Sequence, residues 1–420
     1  MKLLLQSVKL IDTRSKHHLD NIDILIEGGV ITQIAKKIKV LPEYKVFKEK
    51  ACVSPSWIDT NMHIYEPGLE YREDFKSGLK AAAAGGFGLS CIMPNTNPPI
   101  DNNAQLAFVK QAAQHALTEV YPYGAVSHKI EGKDLAEIYD MHQGGPSAFT
   151  DGSKAISNAG LLERALLYVK QFKGVVLNNP DNQDLSAGAQ MNEGVNSTIL
   201  GMLGAPKLAE ELMVARDLFI LEESDSRLHF INVSTKKSVA LIKAAKAKGL
   251  TVSAGVNVAN LFFDDDELLD YDTNFKVHPH LRNKEDIKAL LAGLKDGTID
   301  LICSGHKPLH IDEKKVEFEN AAFGMSTIDC AFAVSRTATL KVLSDETLIE
   351  KWLKGYELIG LPIPKIEVGE KADLSVFNFE DSSTFQKENI LSKGKNNPFI
   401  GRELTGRVYG IIKGNKTNIL

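Results

Sequence analysis

Cysteine is scarce in this 420-residue chain, and the four that occur, Cys52, Cys91, Cys303 and Cys330, lie far apart with no CxxC pair. That spacing excludes a zinc ribbon and a disulfide framework and leaves reduced, mostly buried thiols. Long apolar runs are missing too. In the opening MKLLLQSVKLID the leucines are soon interrupted by Gln6, Ser7 and Lys9, so neither a signal peptide nor a spanning helix can be drawn. No dense Lys/Arg block occurs, and the formal net charge of -5 gives no footprint for a polyanion. These absences predict a cytoplasmic protein with no membrane and no nucleic-acid partner. Nor does a GxGxxG or P-loop pattern follow Gly85-Gly86, which read as a helix C-cap.

What is present suits a large globular core: 43% of residues are hydrophobic and 25% charged. From residue 1 to about residue 54, short apolar runs are broken by turns, with Gly28-Gly29 separating two β-rich segments in hairpin fashion. The same texture returns over 366–420 in EVGEKADLSVFNF and GRVYGIIKGNKTNIL. The chain is therefore expected to divide into a composite β-sandwich domain, 1–54 plus 366–420, and a central domain, 55–365.

In the centre, apolar strands alternate with amphipathic helices. Candidate strands are SWIDTNMH, GLSCIM, EVYPYGAV, SAFTD, VVLNN, LHFINVS, TVSAGV and LICSG. Helices such as TKKSVALIKAAKAKG and NKEDIKALLAGLKDG carry Thr235 and Asn283 at N-cap positions, with Gly249 and Gly297 where the chain leaves the helix. Eight strand-helix units over roughly 250 residues are the signature of a (β/α)8 barrel, whose chemistry sits at the carboxyl ends of its strands.

The strand ends carry more specific patterns. DTNMHIYEPG at 59–68 is followed by EDFKSGLKAAAAGG and MPNT, and later by AGLLERAL, QMNEGVNS, INVSTKKS, FKVHPHLR, AAFGMS and SKGKNNPFIGRELTGRV. Together these resemble the class I dihydroorotases of the amidohydrolase superfamily, whose corresponding patterns include DxHxHxREPG, EDxxSGxxAAAAGG and MPNT. The resemblance implies a barrel of the amidohydrolase type, hydrolysis of a cyclic amide, and two metal ions. Those ions would be held by two histidines after strand one, an aspartate after strand four, histidines after strands five and six, and an aspartate after strand eight that doubles as general base.

Mapped residue by residue, those positions fall on Asn61 and His63, Asp151, Asn178, Asn232 and Gly305. Strand four has one aspartate where the family has two, leaving its register open by a residue. The substrate arginine of REPG is Tyr65, Asn95 of MPNT is kept, and His278 replaces an asparagine. An asparagine amide is a weak, neutral ligand for zinc, and His63 with Asp151 falls short of the three protein ligands of an open zinc site.

The expectation from this count is a non-catalytic, structural or regulatory subunit with no cofactor and no catalytic residue. The resemblance implies association with aspartate transcarbamoylase in pyrimidine biosynthesis, and homo-oligomers. The alternative is an active dihydroorotase, or a related cyclic amidohydrolase, with an altered or single zinc site dependent on His63 or Asp151. Two other arrangements would also suit the residues. His63, His278, His280, His306 and His310 could converge on a new metal site, or Asn95, Asn178, Asn232 and His278 could hold a metabolite.

Overall fold

In the computed structural model, which describes residues 2–419, the two chain ends share one eight-stranded sheet. Lys2–Leu10 lies inside it, antiparallel to Asn21–Glu27 and parallel to Lys45–Phe47 and Cys52–Pro55. Cys52–Pro55 then pairs antiparallel with Asp373–Thr384, and that pairing joins the N-terminal strands to the C-terminal ones. Alternation along Lys2–Leu10 puts Leu3 and Leu5 on the main core face, with Leu4 on the other face beside Leu25 and Ile38. A bulge between Leu5 and Val8 restores Val8 and Leu10 to the first face, and the Asp23 carboxylate accepts the Ser7 N–H there at 2.7 Å.

The central domain supplies β1 (Trp57–Met62), β2 (Phe87–Ile92), β3 (Glu119–Pro122), β4 (Ala148–Thr150), β5 (Val175–Asn178), β6 (Leu228–Phe230), β7 (Val252–Asn257) and β8 (Leu301–Cys303). Neighbours pair in parallel within β1–β3 and within β4–β8. Two short bridges close the ring: Gly124 with Phe149 joins β3 to β4, and Met62 with His306 joins β8 back to β1. Each is backed by a 2.9 Å backbone bond, from Thr150 N–H to Gly124 C=O and from His63 N–H to His306 C=O. Apart from β3, which is half-exposed, the strands are buried almost throughout, as a parallel sheet covered on both faces requires.

Helices α1 (Phe75–Ala84), α2 (Leu208–Ser224), α3 (Lys236–Ala247) and α4 (Lys284–Asp296) belong to the layer around the strands. Thr235 and Asn283 cap α3 and α4 through side-chain oxygens, as their sequence position predicts. At the base of the barrel, Trp57 stacks on Phe332 at 4.6 Å and meets Phe377 of the terminal sheet at 4.9 Å. The barrel core thus continues into the terminal domain and fixes the barrel upon it. No helix among the described residues is long and apolar enough to cross a membrane.

Candidate active site at the barrel mouth

The carboxyl ends of the strands converge on a cavity of about 220 Å³. Its floor is an amide network. The Asn61 amide, near the carboxyl end of β1, donates to Asn232 Oδ1 at 3.0 Å and to Asn257 Oδ1 at 3.2 Å. Below them the Cys303 thiol donates to Asn257 Oδ1 at 3.1 Å, and burial pushes its pKa well up so that it stays a thiol. Neutral groups that satisfy one another stand where an unpaired buried charge would be costly. Asn257 was not foreseen among the candidates. Its signal in the sequence is the polar residue that ends TVSAGVN.

Asp151 does not face this cavity. Its carboxylate turns outward from β4 to accept the Val126 N–H at 3.0 Å, the Ser127 N–H at 2.9 Å and the Ser127 hydroxyl at 2.5 Å. Burial still raises its pKa against those bonds. The residues of that loop that line the cavity are Gly152 and Ser153. Asn95 clamps the loop, donating to Asp151 C=O at 3.1 Å and accepting from Ser153 N–H at 3.1 Å, and it is not itself a cavity residue. Gly152 has φ +64°, and a Cβ there would stand 1.9 Å from Asn95 Oδ1. Asn178 is likewise turned away, accepting from Ile156 N–H at 2.9 Å and donating to Asp217 at 2.6 Å. Arg216 holds that aspartate, and the next residue, Asn179, reaches the cavity.

Gly305 is at the mouth as mapped. With φ +64° and a would-be Cβ 2.6 Å from the Asn257 amide carbon, the position is closed to a side chain as the molecule stands. Gly305→Ala should cost about 1–3 kcal/mol in denaturant unfolding; wild-type stability would mean that Asn257 yields freely.

The five histidines do not converge. His63 lines the cavity, its Nε2 3.4 Å from Ser153 Oγ, and burial, reinforced by Lys307, His306 and Arg72, lowers its pKa so that the ring is neutral. His278 also lines it, with Nε2 3.4 Å from Asp181. Burial would raise the Asp181 carboxyl, but His278 and Ser186 outweigh it and hold its pKa down. His306 is fully buried, and its Nδ1 accepts from Thr327 and Ile328 N–H at 3.1 and 3.2 Å. His280 is buried against Phe323, and His310 sits outside beside Asp312. Tyr65 stacks on His63 at 5.8 Å, beneath the Arg72 guanidinium, which is paired with Glu313. Lys307 is the remaining charged residue of the lining; burial, then nearby Arg72, lowers its pKa to about 8.

A family model described as dihydro-orotase-like matches residues 51–238. The chain is 41% identical over 404 residues to a dihydroorotase of Caldicellulosiruptor saccharolyticus, covering 95% of this chain and 94% of the relative. It is 37% identical over 419 residues to a dihydroorotase of Pelotomaculum thermopropionicum, covering 99% and 98%. Among solved structures it resembles the L-hydantoinase (dihydropyrimidinase) of Arthrobacter aurescens, with a TM-score of 0.86 and 22% identity over 99% of this chain and 95% of that one. A dihydropyrimidinase of Brevibacillus agri gives a TM-score of 0.84 at 20% identity over the same shares. Identities so low speak for the fold, an amidohydrolase-type α/β barrel.

Two expectations fall with these comparisons. Kinship over nearly full length with proteins named dihydroorotase overturns the reading of a non-catalytic subunit, which rested on six ligand positions out of a chain that is alike throughout. The expectation of no cofactor falls with it, since a family built around metal at the barrel mouth makes one expected. The residues present nevertheless do not fit the two-metal set. Asn61 and Asn232 spend their amides on each other, Asp151 and Asn178 point elsewhere, and Gly305 offers no donor atom. Among the described residues the one cluster of three acidic or imidazole groups close enough to share a cation is Asp264, Asp265 and Asp266, outside the cavity. The disagreement is local to the mouth, and with identity running the length of both chains this protein belongs to the dihydroorotase family.

Proposed function

We propose that the chain is a dihydroorotase, or a closely related cyclic amidohydrolase, acting in the barrel-mouth cavity. The observation that carries the reading is 41% identity across 95% of the chain to a protein named dihydroorotase. The reaction adds water to the ring carbonyl carbon of dihydroorotate and breaks its C–N bond. The ring nitrogen takes a proton, and N-carbamoyl-aspartate results. The chain's own residues contribute a cavity at the barrel mouth, a floor of Asn61, Asn232 and Asn257 amides suited to a substrate rich in amide groups, and His63, a neutral imidazole able to accept a proton. Only part of the floor's hydrogen-bonding capacity is spent internally, since each asparagine carries both donors and an acceptor.

The test is direct. Purified without chelator or affinity tag, the chain should interconvert dihydroorotate and N-carbamoyl-aspartate, with the rate followed before and after dialysis against zinc. Absence of turnover in both directions and both conditions would remove the proposal. A cytoplasmic setting, a homo-oligomer and association with aspartate transcarbamoylase belong to the same reading. Failure of the two proteins to co-elute from the cell that makes both would remove the last of these.

A further inference from the structure

The charges lining the cavity are unevenly matched. Asp181 is answered by His278, and the amides and hydroxyls around them are neutral. Lys307 has no such answer at contact distance: it is half-buried, it lines the cavity, and no hydrogen bond or ion pair reaches its ammonium among the described residues, while the Glu313 carboxylate, already paired with Arg72, attracts it only at longer range. Its backbone is fixed, since its N–H donates to Met325 C=O at 2.8 Å just beyond the bridge that closes the barrel. Two other cations near the mouth are already engaged, Arg72 by Glu313 and Lys314 by the carbonyls of Thr273, Lys276 and Ala322. An ammonium held partly out of water without an anion is a cost that a bound anion would relieve.

We propose that Lys307 is the carboxylate anchor of this cavity, so that the site takes a small ring or open-chain amide bearing a carboxylate and discriminates against the same amide without one. Tyr65, at the position where the resemblance places an arginine, cannot serve. Its phenol is uncharged, it does not line the cavity, and burial raises its pKa so that it stays protonated. The anchor has moved from the end of β1 to the loop after β8, across the bridge between Met62 and His306 that joins those two strand ends. The choice of carboxylate rests on the dihydroorotase reading; the unpaired cation does not.

Binding of dihydroorotate and of dihydrouracil, which lacks the carboxylate, measured by calorimetry on the full chain tests the proposal. Lys307→Gln should weaken dihydroorotate about 10- to 100-fold and leave dihydrouracil unchanged, while Lys307→Arg should keep most of the affinity. The melting temperature of Lys307→Gln should not fall, because the lysine gives no bond to the fold. If Lys307→Gln binds dihydroorotate as wild type does, or if wild type binds neither compound, the anchor is refuted. Lysine-dependent binding without turnover would refute the proposed reaction and leave the anchor standing. Turnover with an unchanged KM in Lys307→Gln would do the reverse.

Discussion

Changing His63 to alanine is expected to lower kcat for dihydroorotate by about 100-fold or more, while the protein still folds, with a modestly lower melting temperature from the lost packing. His63 is the histidine that lines the cavity without a carboxylate beside it, and burial keeps it neutral, the form able to take a proton. Its lowered pKa makes it a weak base, so the effect should lie near the lower end of the range for general acid-base groups, about 10²–10⁴. The ring's one polar contact is the 3.4 Å approach to Ser153, so no strong hydrogen bond is lost, and the cost to stability is the buried ring's packing on Tyr65. Steady-state rates in both directions and a thermal melt decide the matter. An unchanged kcat would take His63 out of the chemistry. A parallel loss of folding would make it structural.

Asp151→Ala should do the opposite, destabilising the fold by about 3–5 kcal/mol. The alanine would leave the Val126 N–H, the Ser127 N–H and the Ser127 hydroxyl buried without their acceptor, and these bonds fasten the segment that follows β3 to the end of β4. Each abandoned buried donor costs about 1–3 kcal/mol, partly recovered as the loop relaxes. Asp151→Asn should cost less, because its amide oxygen can still accept from one side. Denaturant unfolding measures both variants. If Asp151→Ala unfolds at the wild-type midpoint yet has lost turnover, Asp151 would act in the reaction despite its orientation.

Much of the barrel was legible from local pattern. Each of the eight apolar runs contains a strand, and Thr235 and Asn283 cap their helices, because both features depend on residues within one turn or one strand. The site was legible only in part. Asn61, Asn232 and Gly305 reach the mouth as mapped, but Asp151 and Asn178 turn away and Gly152 and Asn179, each one residue further on, take their places. At a strand end a shift of one residue reverses the side chain, and no neighbour in sequence fixes that choice. Partners from other strands do: Ser127 draws Asp151 outward, and Asp217, held by Arg216, draws Asn178.

The histidine cluster failed for the same reason. His278, His280, His306 and His310 lie within 33 positions in sequence, yet His306 is bound to Thr327 and Ile328 N–H while His310 stands at the surface. Counting ligand types also led to the wrong conclusion about activity, which kinship along the whole chain corrected.

By itself the sequence determined the alternation of strand and helix, the helix caps, the two β-rich ends and the family. Periodicity and capping are short-range, and the family motifs lie in the chain as written. Tertiary structure alone decided which polar groups face the cavity, that Asn257 completes the amide floor, and that Lys307 stands there unpaired. Those facts depend on which donors and acceptors from distant segments meet once the ring of strands has closed, when every buried polar group must find its partner in space.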